Sequence, residues 1–144
     1  MKIYLIRHAE TECNVSKRLQ GWGDGPLTEK GKLQSAMLGK RLESIKFNSI
    51  YCSTSGRART TLSIARKDSN AEYLDSLREI SLGTWEGREQ SEIEKENPVQ
   101  FDNFWHHPEQ FSVDGGETFF DIYKRTGEVL RLLAQKEQND FIIM

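Results

Sequence analysis

An α/β fold, with a mainly parallel sheet and helices on both faces, is the class this sequence predicts, and three observations predict it. Short β-branched and aromatic runs alternate with segments whose apolar residues recur at helical spacing. The length of 144 residues suits one domain, so the whole chain, 1–144, is read as a single folding unit. No internal repeat or low-complexity stretch interrupts the alternation.

Residues 2–6 (K-I-Y-L-I) are too short for a helix and break at the charged Arg7-His8-Ala9-Glu10, which reads as a buried central strand. The loop GWGDGP at 21–26 precedes Thr28, a helix cap. The helix it opens has an apolar side made by Leu33, Ala36, Met37, Leu38, Leu42 and Ile45, with Met37 assigned to the core. A second strand at 48–52 leads through Ser53, Ser55 and Gly56 into a helix patterned by Ala58, Thr61, Leu62 and Ala65. Residues 71–74 read as a short edge strand, and 77–87 as a glycine-bearing loop that contains Trp85. The segment 88–112 is polar at first, then aromatic (Phe101, Phe104, Trp105, Phe111) with two prolines, and predicts short helices forming a lid. Phe119, Ile122, Tyr123, Thr126, Val129, Leu130 and Leu133 mark a long amphipathic helix, with the aromatic residues 119, 120 and 123 assigned to the core. Residues 141–144 are a third buried strand. The chain stops on it, so the fold is expected to be C-terminally incomplete, a truncated form with apolar surface left near this strand. Self-association through the face of that strand is the expected alternative to truncation.

Composition excludes several classes. With 36% hydrophobic, 29% charged and 10% aromatic residues and a mean hydropathy of -0.67, the chain is too apolar to be disordered. Twenty Lys and Arg against 22 Asp and Glu give a net charge of -2 with no long basic run, so nucleic acid is not an expected partner. The longest apolar runs are a few residues, which predicts neither a membrane partner nor export, and a cytoplasmic location is expected. Cys13 and Cys52 lack C-x-x-C spacing, arguing against a disulfide framework and a zinc site; neither metal nor cofactor is expected. His106 and His107 are adjacent, and in an extended chain they would point apart without a third ligand nearby.

In open α/β sheets ligands lie at the carboxyl ends of strands. The first strand delivers Arg7-His8-Ala9-Glu10-Thr11 there, and the second Ser53-Thr54-Ser55-Gly56-Arg57-Ala58-Arg59. Arginines, a histidine and a glycine-bearing loop that opens a helix make a site for a phosphate dianion. No P-loop is present, and G-W-G-D-G is not a dinucleotide fingerprint. A histidine among cations stays neutral more readily, with a ring nitrogen lone pair free to attack phosphorus.

The motifs L-I-R-H-A-E-T at 5–11, Asn14, R-L-Q-G at 18–21, G-P-L-T-E-K-G at 25–31, S-T-S-G-R-A-R-T-T at 53–61, L-R-E-I-S-L-G-T-W-E-G at 77–87 and D-G-G-E-T at 114–118 together resemble the histidine phosphatase superfamily, also called the phosphoglycerate mutase-like family. Ala9 stands where that family usually has glycine, a departure expected to be tolerated. The resemblance implies that His8 is the nucleophile that becomes phosphohistidine. Arg7, Asn14 and Arg57 would bind phosphoryl oxygens, and the backbone at Gln20 and Gly21 would close the pocket. Glu79 would be the general acid and then the base that activates water, whereas Glu86 would hold the Gly83 turn. It also implies a second pocket histidine in an S-H-G turn after a strand, a motif absent from these 144 residues.

Of cations, the lid has only Arg88 and Lys95, against glutamates at 89, 92, 94 and 96, so a second phosphate finds few partners there. Hydrolysis of a small phosphomonoester is therefore the leading expectation, with inorganic phosphate as product and ligand. Phosphoglycerate mutase-type transfer, a catalytically impaired phospho-ligand binder and a protein-histidine phosphatase are the competing readings.

Overall fold

The computed structural model describes residues 2–67, 69–136 and 139–144. In chain order the elements are β1 (Ile3–Leu5), α1 (Glu12–Val15), α2 (Glu29–Leu42), β2 (Ser49–Ser53), α3 (Gly56–Ala65), β3 (Glu72–Leu74), α4 (Gln90–Glu96), α5 (Pro98–His106), α6 (Phe119–Lys136) and β4 (Phe141–Ile143). The strands form one sheet in the order β1-β4-β2-β3, and every pairing is parallel.

β4 lies in the centre of this sheet. Its sequence, F-I-I, is apolar at every position, as a strand buried on both faces requires, and Phe141 and Ile142 are fully buried. This corrects the expectation for residues 2–6: β1 is at the edge of the described sheet, because β4 inserts between it and β2. Ile3 and Leu5 are accordingly 45% and 75% exposed. The apolar surface expected near residues 141–144 is not on these residues, all of which are buried.

The two sheet faces carry separate cores. On one, Leu42 of α2 and Ala58 and Leu62 of α3 pack with Ile50, Cys52 and Ile142, joined by Tyr4 and Ile6. On the other, Val129 and Leu133 of α6 pack on Tyr51, Phe141 and Ile143. Thr28 caps α2, its hydroxyl accepting from the Gly31 N–H at 2.9 Å, which is worth about 1 kcal/mol.

The inward face of α2 is only in part the apolar one read from spacing: Leu42 is buried and Leu38 and Ile45 pack against the same core, but two other residues of that set do not. Leu33 and Met37 are 67% and 70% exposed, while Gly31, Ser35 and Leu42 are buried. Backbone proximity is the cause: a Cβ on Gly31 would lie 2.1 Å from the Glu10 carbonyl oxygen, and one on Gly39 2.5 Å from that of Ala65. α6 departs from expectation in the same way. Its inward stripe runs through Ile122, Val129 and Leu133, so Phe120 and Tyr123 project outward and only Phe119 of the three aromatic residues is half-buried.

Between β3 and α6 the chain builds a third core around Trp85. Ile80, Leu82, Ile93 and Phe111 are buried with it, and Phe101 and Phe104 pack against them. The Trp85 and Phe111 rings lie 5.5 Å apart and those of Phe104 and Phe111 5.1 Å apart at steep angles, the geometry aromatic quadrupoles favour. The segment 88–112 is thus folded onto the 77–87 loop. Among the described residues no helix is long and apolar enough to cross a membrane.

Candidate active site

Because the strands are parallel, β1 and β2 end on the same rim, and the residues following them meet there. All seven residues singled out from the sequence (Arg7, His8, Asn14, Gln20, Gly21, Arg57 and Glu79) line a single cleft of about 240 Å³. A neighbouring cleft of about 280 Å³ shares Arg7, His8, Arg57 and Glu79 and extends past Ser53 and Ser55 to Thr126 and Met144.

His8 Nδ1 lies 2.8 Å from the Ala9 carbonyl oxygen. A carbonyl can only accept, so Nδ1 carries the proton and Nε2 keeps its lone pair. Burial lowers the imidazole pKa below its ordinary 6.5; the bond to Ala9 opposes this, and the positive charges of Arg57 and Arg7 add to the lowering. Ala9 is buried, its N–H donating to Thr61 Oγ1 at 3.0 Å. Its φ is not positive, Lys17 being the one non-glycine residue so described, so the methyl group costs no backbone strain.

Thr11 organises the next stretch. As N-cap of α1 it exchanges hydrogen bonds with Asn14, and its hydroxyl is within reach of Asn14 Oδ1 (2.9 Å) and Gln20 Oε1 (3.2 Å). Both amide oxygens are spent on Thr11, leaving the –NH2 groups as the donors these side chains can offer an anion. Gly21 has φ +51, and a Cβ there would lie 2.5 Å from Glu86 Oε1, so glycine is required at this position. Glu86 accepts from the backbone N–H groups of Trp22 (2.8 Å) and Leu82 (2.9 Å) and so ties the two loops together.

Arg57, in the first turn of α3, is 3% exposed. Its Nη1 donates to Gly23 O (2.8 Å) and Asp24 Oδ1 (3.2 Å) and its Nη2 to Gly21 O (2.9 Å), whereas its buried Nε has no partner among the described residues. The Nε–H and one Nη2–H therefore remain uncommitted, and a buried unpaired donor of a charged group is costly unless an anion meets it. Asp24 also accepts from the Gly56 and Arg57 backbone N–H groups at 2.6 and 3.2 Å, locking the 21–26 loop to the start of α3. Glu79, which lines the cleft, accepts from its neighbour, the Ile80 N–H, through Oε1 at 3.0 Å.

Sequence reasoning did not place Arg18 in this cleft, although it belongs to the R-L-Q-G stretch. It lines the wall while donating to Gly87 O at 2.8 Å and to Glu89 at 2.6 Å, bridging the early loop to the start of the 88–112 segment. Gln90, Phe104 and Trp105 complete the same side of the cleft. Glu10, read as either an orienting group or a helix charge, accepts from Thr28 Oγ1 (2.8 Å) and Lys30 Nζ (2.9 Å) and so fastens the loop to α2. His106 and His107 lie outside both clefts, and both turn toward Asp102, at 2.8 and 4.0 Å, because His106 ends a helix and is not extended. Among the described residues no group of three or more His, Cys, Asp and Glu could hold a metal ion.

The chain belongs to the histidine phosphatase superfamily (branch 1), whose family model matches residues 3–144. It is 30% identical to phosphoserine phosphatase 1 of Hydrogenobacter thermophilus over 146 aligned positions, covering 100% of this chain and 69% of that protein. It is also 30% identical to a probable phosphoglycerate mutase of Salmonella choleraesuis over 132 positions, covering 90% of this chain and 61% of that one. Among solved structures, YhfR of Bacillus stearothermophilus is 43% identical with a TM-score of 0.90, over 98% of this chain and 71% of its own. The α/β architecture described above is that of these structural neighbours, and family and relatives together support a phosphatase-type enzyme.

Proposed function

We propose that the protein hydrolyses a small phosphomonoester through a phosphohistidine formed on His8. The observation that carries this reading is the fixed His8 tautomer, Nδ1–H on the Ala9 carbonyl and Nε2 bare, beside the buried Arg57 with its unpaired Nε. Nε2 attacks phosphorus and forms the N–P bond while the bond to the ester oxygen breaks. Glu79 gives its proton to the departing alkoxide, then as carboxylate takes a proton from water that attacks the phosphohistidine and releases inorganic phosphate. Arg7, Arg57 and the amide groups of Asn14 and Gln20 stabilise charge on the transferring oxygens. The Gly21 turn sets the position of the Arg57 fork by accepting from Nη2.

The lid supports a phosphatase over a mutase. Arg18 is paired with Glu89, and Arg88 with Glu96 at 2.7 Å, so these two arginines are already engaged and a second phosphate finds few counter-charges. Phe104 and Trp105 present an aromatic wall, which suits a leaving group with an apolar portion. Incubation with a radiolabelled phosphomonoester and rapid alkaline denaturation tests the reading. An acid-labile, alkali-stable phosphoenzyme and phosphate release are expected, both lost in His8→Ala. A His8→Ala variant with full activity overturns the assignment, and binding of phosphate or vanadate without turnover would favour a phospho-ligand binder.

A further inference from the structure

Arg125 lies on the inward stripe of α6, where helical spacing calls for an apolar residue, and its side chain is 18% exposed. A guanidinium has five N–H donors. Here each has an acceptor: Nε–H donates to Glu117 Oε1 (2.8 Å), Nη1 to Ser76 O (2.8 Å) and Arg78 O (2.7 Å), and Nη2 to Glu79 O (2.9 Å) and Glu117 Oε2 (2.9 Å). Glu117 in turn accepts from the Ser81 N–H at 2.9 Å. The pair thereby grips residues 76, 78, 79 and 81, on both sides of the Glu79 side chain. The Trp22 indole N–H donates to the same Glu79 carbonyl at 2.9 Å.

From this arrangement we infer that Arg125, held by Glu117, is the positioning residue that sets where the Glu79 carboxyl meets the leaving oxygen. The inference rests on the reading of Glu79 as the acid. Arg125 touches neither the phosphoryl group nor the ester; it fixes the backbone from which the acid projects. Lysine keeps the charge but has three donors around one atom and cannot span the carbonyls and both carboxylate oxygens at once. A proton donor displaced by about an ångström loses about a hundredfold in rate, and the loss falls on reactions that need the proton.

The test compares kcat and KM for an alkyl phosphate and for p-nitrophenyl phosphate, whose leaving group needs little protonation, in the full chain and in Arg125→Lys, Glu117→Gln and Glu79→Gln. Arg125→Lys and Glu117→Gln are expected to lower kcat on the alkyl ester by about 10- to 100-fold, with aryl kcat and both KM values within about threefold. In a Glu79→Gln background, Arg125→Lys should add no further loss. Equal losses on both esters, or an undiminished loss in the Glu79→Gln background, would make Arg125 a purely structural brace and overturn the inference. If Arg125→Lys does not fold, Glu117→Gln carries the same comparison. The underlying reading fails separately, and takes the inference with it, if Glu79→Gln alone affects both esters alike while Arg125 is intact.

Discussion

At the scale of single residues, the site is governed by which hydrogen-bonding groups are already spent. His8 is kept neutral first by burial and then by Arg57 and Arg7, so its folded pKa lies below the ordinary 6.5. Protonation thus favours the unfolded chain, and the stability this group contributes declines as pH falls below 6.5 toward the folded value. NMR titration of the His8 ring protons should give a midpoint below 6.5, moving upward in Arg57→Met, where one repelling charge is gone. An unmoved midpoint would contradict this electrostatic account. Arg57→Ala should also weaken vanadate binding by about 2–5 kcal/mol in a calorimetric titration, because the guanidinium is desolvated and its free donors have no other anion to meet. The residue types and their order were legible in the sequence, since strand ends and motifs fix which side chains arrive at the rim. What the sequence did not carry was the division of Arg57 donors among Gly21, Gly23 and Asp24, or the use of Arg125, because those partners are distant along the chain and chosen by tertiary folding.

Whole elements were legible where the signal is local and illegible where it depends on a neighbour. Thr28 marks the start of α2 because its hydroxyl caps the helix within three residues. The face that α2 turns inward could be read from hydrophobic spacing at Leu38 and Leu42 but not along its whole length, because close contact with α3 and the Glu10 strand-end loop is made through glycines whose missing side chains let backbones approach. This makes a signed prediction. In an exposed helix interior Gly→Ala stabilises by about 0.5–1 kcal/mol. At Gly39 the added methyl would meet the Ala65 carbonyl at 2.5 Å, backbone that cannot swing aside, so Gly39→Ala should instead destabilise by about 1–3 kcal/mol. Met37→Gln, on the exposed face two residues earlier, should change stability by no more than about 0.5 kcal/mol. Urea unfolding of both variants decides whether glycine or methionine lies on the packing face.

For the molecule as a whole, the decisive fact is that helical cover stops between two adjacent strands. β1 and β4 are in register, Ile3 opposite Phe141 and Leu5 opposite Ile143, yet Phe141 and Ile143 are 0% and 8% exposed while Ile3 and Leu5 are 45% and 75%. Alternation along a strand places Ile3 and Leu5 on one face and Tyr4 and Ile6 on the other, where they join the α2 and α3 core. The first face is the one α6 covers over β4 and β2, and its cover does not reach β1. An edge strand with an apolar outer face is a template for pairing with another chain, and neither proline nor an inward charge interrupts the three residues of β1. The strand pattern was readable from the sequence, but its edge position was not, since nothing local says that the last strand inserts beside the first. For the 144-residue chain, pairing of this edge with the β1 of a second copy is an expected outcome to be measured. The purified 144-residue chain should therefore sediment as a concentration-dependent mixture of monomer and larger species, and Leu5→Lys should return it to monomer without lowering its melting temperature, because Leu5 is mostly exposed in the monomer. A parent chain that stays monomeric at high concentration, or association unchanged by Leu5→Lys, would show that β1 is not the pairing edge.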